Sequence, residues 1–168
     1  MSNPATGGVL SESVLLNDEE LFETLYQQVW RFAAVVATPG TDPDDLVQEA
    51  LVRTLARREL ADLDAPVPYL RKAVLNVVVD NQRRASRWRG VVRRLPDRST
   101  QLDEFPSDLA DLEHLSPVDR GVLYLTEIEG HSQAEAATML GLTHDAVRLR
   151  ASRARRRLRV AIEAEEAQ

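Results

Sequence analysis

Cysteine is absent from this chain of 168 residues, which excludes disulfides and thiolate metal sites. Also missing is any apolar run of the roughly 20 residues needed to span a bilayer. The opening residues, MSNPATGGVLSES, lack a basic segment followed by an apolar core, so they do not read as a signal peptide. These absences predict a cytoplasmic protein without membrane insertion. The histidines, His114, His131 and His144, are scattered and lack a ligand spacing, which argues against a metal site. Nothing else calls for a cofactor. No internal repeat and no credible strand pairing is visible, and the chain reads as all-α. Its apolar content of 43% suffices for one or two small cores.

What the chain does have is charge gathered into blocks. The net charge of −6 conceals them. Residues 1–64 hold 4 basic and 12 acidic groups, and residues 65–98 hold 9 and 2. Residues 99–143 hold 1 and 9, and residues 144–160 hold 7 and 1. Two separate basic blocks imply two contacts with a polyanion. The acidic blocks would repel nucleic acid and suit a basic protein partner or simply solubility.

The second basic block belongs to a helix-turn-helix pattern. Ser132 and Glu135 have the spacing of a capping box, so a helix should start at Gln133. Ala136 and Ala137 let a second helix approach closely. Gly141 falls where the chain must turn, and Thr143 can cap the next helix. There Val147, Ala151, Ala154 and Leu158 form one narrow apolar stripe. At about 100° per residue, Asp145, Leu149, Ser152, Arg153 and Arg156 point away from it. Arg148, Arg150, Arg155, Arg157 and Arg159 lie on the flanks. This is the layout of a recognition helix, with base-reading positions outward and phosphate-binding arginines beside them.

Elsewhere the pattern predicts a disordered segment over 1–13 and a helical domain over 14–89. Its first helix starts at Asn17 or Asp18 and ends before Pro39-Gly40. A second runs from the Asp42 cap to about Arg58, and a third from about Val67 to Trp88. Between these last two, residues 59–68 form a loop. The valine run at 77–79 favours strand, but the helical context outweighs it. Residues 90–111, rich in proline, serine and acids, read as a flexible linker. A second helical domain over 112–168 opens with Ser116 as cap, Asp119 reaching back, and a helix continuing to Gly130. The expected architecture is two small helical domains.

The first half narrows the function. The run DDLVQE over 44–49, with Tyr69-Leu70, Asn76, Asp80, Arg83 and Arg84, resembles region 2 of a bacterial sigma factor. Residues 115–159 resemble region 4. A short chain with just these two regions is similar to the extracytoplasmic-function group, and the resemblance covers roughly 18–89 and 112–160. It implies a protein that is not an enzyme. Its partners would be promoter DNA and core RNA polymerase, through the largest subunit's clamp coiled coil and the beta flap. An anti-sigma factor is implied as well.

Residue by residue, the resemblance implies that Asp44, Asp45, Leu46, Gln48 and Glu49 meet the polymerase. A −10 element would be read as single-stranded DNA by Tyr69, Arg71, Lys72, Asn76, Asp80, Arg83, Arg84 and Arg87. Asp62 and Asp64, in the loop whose family counterpart holds a flipped base, join that set. A −35 duplex would be met by Thr143, His144, Arg148, Leu149, Arg150, Ser152, Arg153, Arg155 and Arg156. The residues themselves are compatible. Lys72, Asn76, Asp80 and Arg83 or Arg84 share a helix face, with Arg71 flanking it. Asn76 can donate to and accept from an unstacked base edge. Tyr69 and Trp88 offer stacking surfaces, or serve as core anchors. Asp145-Ala146 and Leu149 depart from the family pattern, which alters the promoter sequence expected rather than the mode of binding.

Two other classes compete. A stand-alone helix-turn-helix regulator would bind duplex without polymerase. A metal-dependent nuclease built on Asp42, Asp44, Asp45 and Glu49 is disfavoured, because these acids point in different directions and no lysine or histidine joins them. The linker acids Asp97, Asp103, Glu104, Asp108 and Asp111 could follow a basic RNA exit path or belong to a plain tether.

Overall fold

The computed structural model describes residues 18–92 and 115–166. The expected disordered segment, the acidic linker residues and His114 lie outside them. Six α-helices are described: α1 (Asp18–Val36), α2 (Pro43–Leu55), α3 (Pro66–Val92), α4 (Pro117–Leu123), α5 (Gln133–Leu140) and α6 (His144–Glu166). A 3-10 turn over Leu60–Asp62 precedes α3, and a π turn over Tyr124–Ile128 follows α4.

Local chemistry sets most boundaries. Asp42 caps α2 by accepting from the Asp44 amide at 2.8 Å, with Pro43 in the first helical position. α2 stops at Leu55, three residues before the expected Arg58, although Ala56 and Arg58 still donate to Val52 and Thr54 in a closing turn. Ser116 caps α4 through the Asp119 amide at 3.2 Å. The reciprocal bond expected of Asp119 is not made. Its carboxylate accepts from Arg150 at 2.9 Å instead, tying α4 to α6. The expected continuous helix to Gly130 changes into the π turn, where the Glu129 amide reaches back to the Tyr124 carbonyl. The valines at 77–79 are helical; Val77 and Val78 are buried, so packing overrides their strand preference.

The helix-turn-helix forms as its pattern predicts. Ser132 and Glu135 make both bonds of the capping box. Gly141 ends α5 in the left-handed conformation, φ +66°, and Thr143 accepts from the Ala146 amide. A Cβ at Gly141 would also fall 2.5 Å from Lys72 Nζ. Gly141→Ala should destabilise the fold by about 1–2 kcal/mol, chiefly from the positive φ. A lower urea midpoint at unchanged m-value would show it; an unchanged midpoint would contradict it.

Two helical units are present, α1–α3 and α4–α6. They do not stand apart: α1 packs on α4, and α3 packs on both α4 and α5. One contiguous core runs through both units, from Val29, Phe32 and Val36 through Leu70, Val74 and Val77 to Val122, Leu125, Leu140 and Val147. Gly121 permits the approach, since a Cβ there would lie 3.1 Å from the Phe32 ring and 3.3 Å from Val36. Leu115, Leu123 and Ala154 make a satellite cluster with Leu158. Hydrophobic patterning reports which face of a helix is apolar, not which helix will cover it. The docking therefore has no signature in the sequence.

Candidate nucleic-acid interface

α3 presents Lys72, Asn76, Arg83, Arg84 and Arg87 to solvent, with Tyr69 and Asp80 half-buried beside them. Helical periodicity puts its other side, Leu70, Val74, Val77 and Val78, into the core. Tyr69, Lys72, Asn76, Asp80 and Arg83 of this strip form one wall of a groove of about 490 Å³; Arg53 and Thr54 of α2, with Arg57 just past its end, form the other. These arginines were missed as candidates. Their i, i+4 spacing was legible, but only the tertiary structure turns them toward α3. Arg53 pairs with Glu49 and reaches Asp80 at 3.3 Å, so a residue expected to meet polymerase and one expected to meet DNA share a partner. A second cavity, about 320 Å³, adjoins at Tyr69 and Lys72. Asp62, Asp64, Arg58 and Pro68 line it, with Thr138 and Met139 from the other unit. Trp88 is 70% exposed, so it is no core anchor.

Arg71 requires a correction. It is 3% exposed and does not flank the strip at the surface. One residue before Lys72, it is rotated about 100° toward α1. Its guanidinium makes two bonds of 2.7 Å to the Glu129 carboxylate, donates to the Gln28 carbonyl at 3.3 Å and lies 5.8 Å from the Phe32 ring centroid. Burial alone would push the Glu129 carboxyl up. The hydrogen bonds and charge of Arg71, aided by Tyr124 and His131, outweigh it and hold that carboxyl below the usual range. Burial, followed by the neighbouring Glu129 charge, pushes the Tyr124 hydroxyl up.

Thr143, which caps α6, and His144, Arg148, Leu149, Ser152, Arg153, Arg155 and Arg156 on the helix itself are all exposed. Val147, Ala151 and Ala154 are fully buried beneath. Arg148 meets Asp145 at 3.6 Å, a solvent-screened pair of little strength. Arg150 differs from the rest. It is half-buried and bonded to Asp119, so its guanidinium holds α6 on α4.

The acidic helix α2 presents Asp45, Gln48, Val52 and Leu55 on one face; Val52 is 66% exposed and Leu55 56%. Leu46, expected at the polymerase, is corrected: it is 1% exposed and belongs to the core with Val47. Asp44 accepts a bond from the Tyr26 hydroxyl, which pushes that hydroxyl up to about 12. Val52 and Leu55 were missed because they lie beyond the DDLVQE run, although their register with Gln48 was readable.

Two family models match. The model for sigma-70 region 2 covers residues 21–88, and that for sigma-70 region 4 covers residues 112–158. The RNA polymerase sigma-E factor of Streptomyces coelicolor is 32% identical over 159 residues, covering 86% of this chain and 85% of the relative.

This chain belongs to the extracytoplasmic-function sigma-70 family.

It is accordingly a sigma factor for transcription initiation. The ECF sigma factor SigM of Mycobacterium tuberculosis is 28% identical over 145 residues, 83% of this chain and 74% of that one. Among solved structures, the sigma factor RpoE of Bartonella quintana, in complex with the anti-sigma factor NepR, superposes with a TM-score of 0.66 at 20% identity. The match covers 87% of this chain and 96% of RpoE, a likeness of fold. Region 2 is then α1–α3 and region 4 is α4–α6. Among the described residues, no helix is long and apolar enough to cross a membrane.

Proposed function

We propose that this sigma factor reads a −10 element as single-stranded DNA through the α3 strip and a −35 element as duplex through α6, while α2 docks on core polymerase. One observation carries the reading: α3 and α6 each expose a cationic face, while α2 exposes an acidic first turn. Lys72 and the arginines at 83, 84 and 87 supply backbone charge along α3. Asn76, exposed between them and lining the groove, supplies hydrogen bonds to an unstacked base edge. On α6, Arg148 and Arg153 have the length and fork geometry to bind guanine in a major groove, and exposed Leu149 suits a thymine methyl. On α2, the acids with Val52 and Leu55 offer a mixed apolar and anionic face to a basic helical partner. Such a protein works in the cytoplasm and performs no catalysis of its own. The RpoE–NepR pair supports an anti-sigma partner here as well.

Run-off transcription with purified core polymerase tests this. The chain should confer start-site selection, and Asp45→Arg should lower its affinity for core enzyme about tenfold or more. A stand-alone regulator would instead bind promoter duplex specifically and leave polymerase unaffected. Failure of the purified chain to associate with core enzyme would overturn the reading.

A further inference from the structure

We propose that Asp80 reads an adenine or a cytosine through its exocyclic amine in the groove between α2 and α3, and that Arg53 is the positioning residue that sets this preference. The inference rests on the promoter reading above and deepens it.

The groove holds a charge conflict. Lys72 and Arg83 of α3, with Arg53 and Arg57 opposite, make it cationic. Among the described residues that line it, Asp80 alone is acidic. A bare carboxylate there would repel a phosphate backbone. An ionised carboxylate only accepts hydrogen bonds, and the phosphates and sugars inside a DNA strand have none to donate. Its donors lie on the base edges, chiefly the exocyclic amines. A carboxylate in such a groove is therefore matched by a base and by nothing else in the strand.

Arg53 decides which base. Its Nη1 donates to Asp80 Oδ2 at 3.3 Å, joining residues 27 apart in sequence. Its Nη2 is paired with Glu49, one turn earlier on α2, which keeps the guanidinium on Asp80 and away from the strand. The pair screens the charge of Asp80 and occupies one of its two oxygens. The Asp80 side chain remains 44% exposed, so Oδ1 stays open to a ligand. A carboxylate with both oxygens open would grip the N1–H and N2 amine of guanine together. With one oxygen taken, that grip is lost and a single amine is the better fit. In adenine and cytosine the ring nitrogen beside the amine is an acceptor, and it suits the neighbouring guanidinium. In guanine it is an N–H, donor against donor. Thymine has no amine. Asn76 lies one turn before Asp80, roughly 6 Å along the helix, so the two side chains serve neighbouring bases of an unstacked strand. Because the ion pair is partly exposed, it contributes little to stability; what it sets is direction.

The test uses the full chain with core polymerase and a promoter library randomised over the −10 window, read by sequencing the run-off transcripts. At one position, wild type should prefer adenine or cytosine over guanine and thymine by about fivefold or more. Asp80→Ala should abolish the preference there and nowhere else. In Asp80→Asn, matched in size, Arg53 would claim the amide oxygen and turn the NH2 into the groove. Preference should then shift to the keto bases, guanine and thymine. Arg53→Ala should admit guanine, and Arg53→Lys, which keeps a donor for Oδ2, should retain the wild-type pattern. A residue that merely braced α2 on α3 would change stability or total transcription and leave every base preference as it was. That outcome, in variants that melt like wild type, overturns the proposal. So does an unaltered preference in Asp80→Asn. If wild type initiates from no member of the library, the promoter reading itself fails and takes this inference with it.

Discussion

Phe32→Ala is expected to cost about 3–5 kcal/mol of folding free energy, the range for emptying a buried aromatic site. Phe32 is fully buried in α1 of region 2, yet residues of region 4 also pack against it. Its ring meets Tyr124 edge-on at 6.1 Å between centroids, and Gly121 faces it so closely that a Cβ would lie 3.1 Å away. The Arg71 guanidinium lies 5.8 Å from its centroid. A domain of this size has about 5–15 kcal/mol in total, so the loss is a large fraction of it. At 2–4 °C per kcal/mol, the midpoint should fall by roughly 6–20 °C. The effect should also decouple the regions: wild type should melt in one transition, and the variant in two. Thermal unfolding followed by circular dichroism would measure both. A cost below about 1 kcal/mol would mean the docked interface does not hold in solution.

Arg153→Ala and Arg148→Ala should each weaken −35 recognition by about 1–3 kcal/mol, five- to 150-fold, if their guanidinium groups bond guanine in the major groove. Both side chains are exposed on α6. Truncating either leaves the buried stripe of Val147, Ala151 and Ala154 untouched. Stability should therefore stay within about 0.5 kcal/mol of wild type, which separates lost contact from lost fold. Competition between promoter variants would reveal the base each arginine reads. Retained promoter selectivity in both variants would contradict the assignment. Arg150→Ala offers a contrast. Because Arg150 is bonded to Asp119, its removal should loosen α6 on α4 as well as remove a positive charge.

Much of this was legible in the chain. The capping box at Ser132, the turn at Gly141 and the caps at Asp42 and Ser116 are local chemistry, and each forms where the residues dictate. The stripe on α6 and the buried side of α3 followed from period alone. The misses have different causes. Arg71 has a residue type that fits a surface role but is claimed by Glu129, distant in sequence, whereas Leu46 is apolar and is taken by the core. Arg53 and Arg57 were readable as a basic pair, but not as a wall of the α3 groove.

The sequence by itself determined the helices, their caps and turns, the charge blocks and the family, because these depend on side chains within a turn or two of one another. Tertiary structure alone decided that region 4 lies on region 2 and that Arg71 belongs to Glu129. Those contacts join residues tens of positions apart, and nothing in helical periodicity says which buried face will meet which.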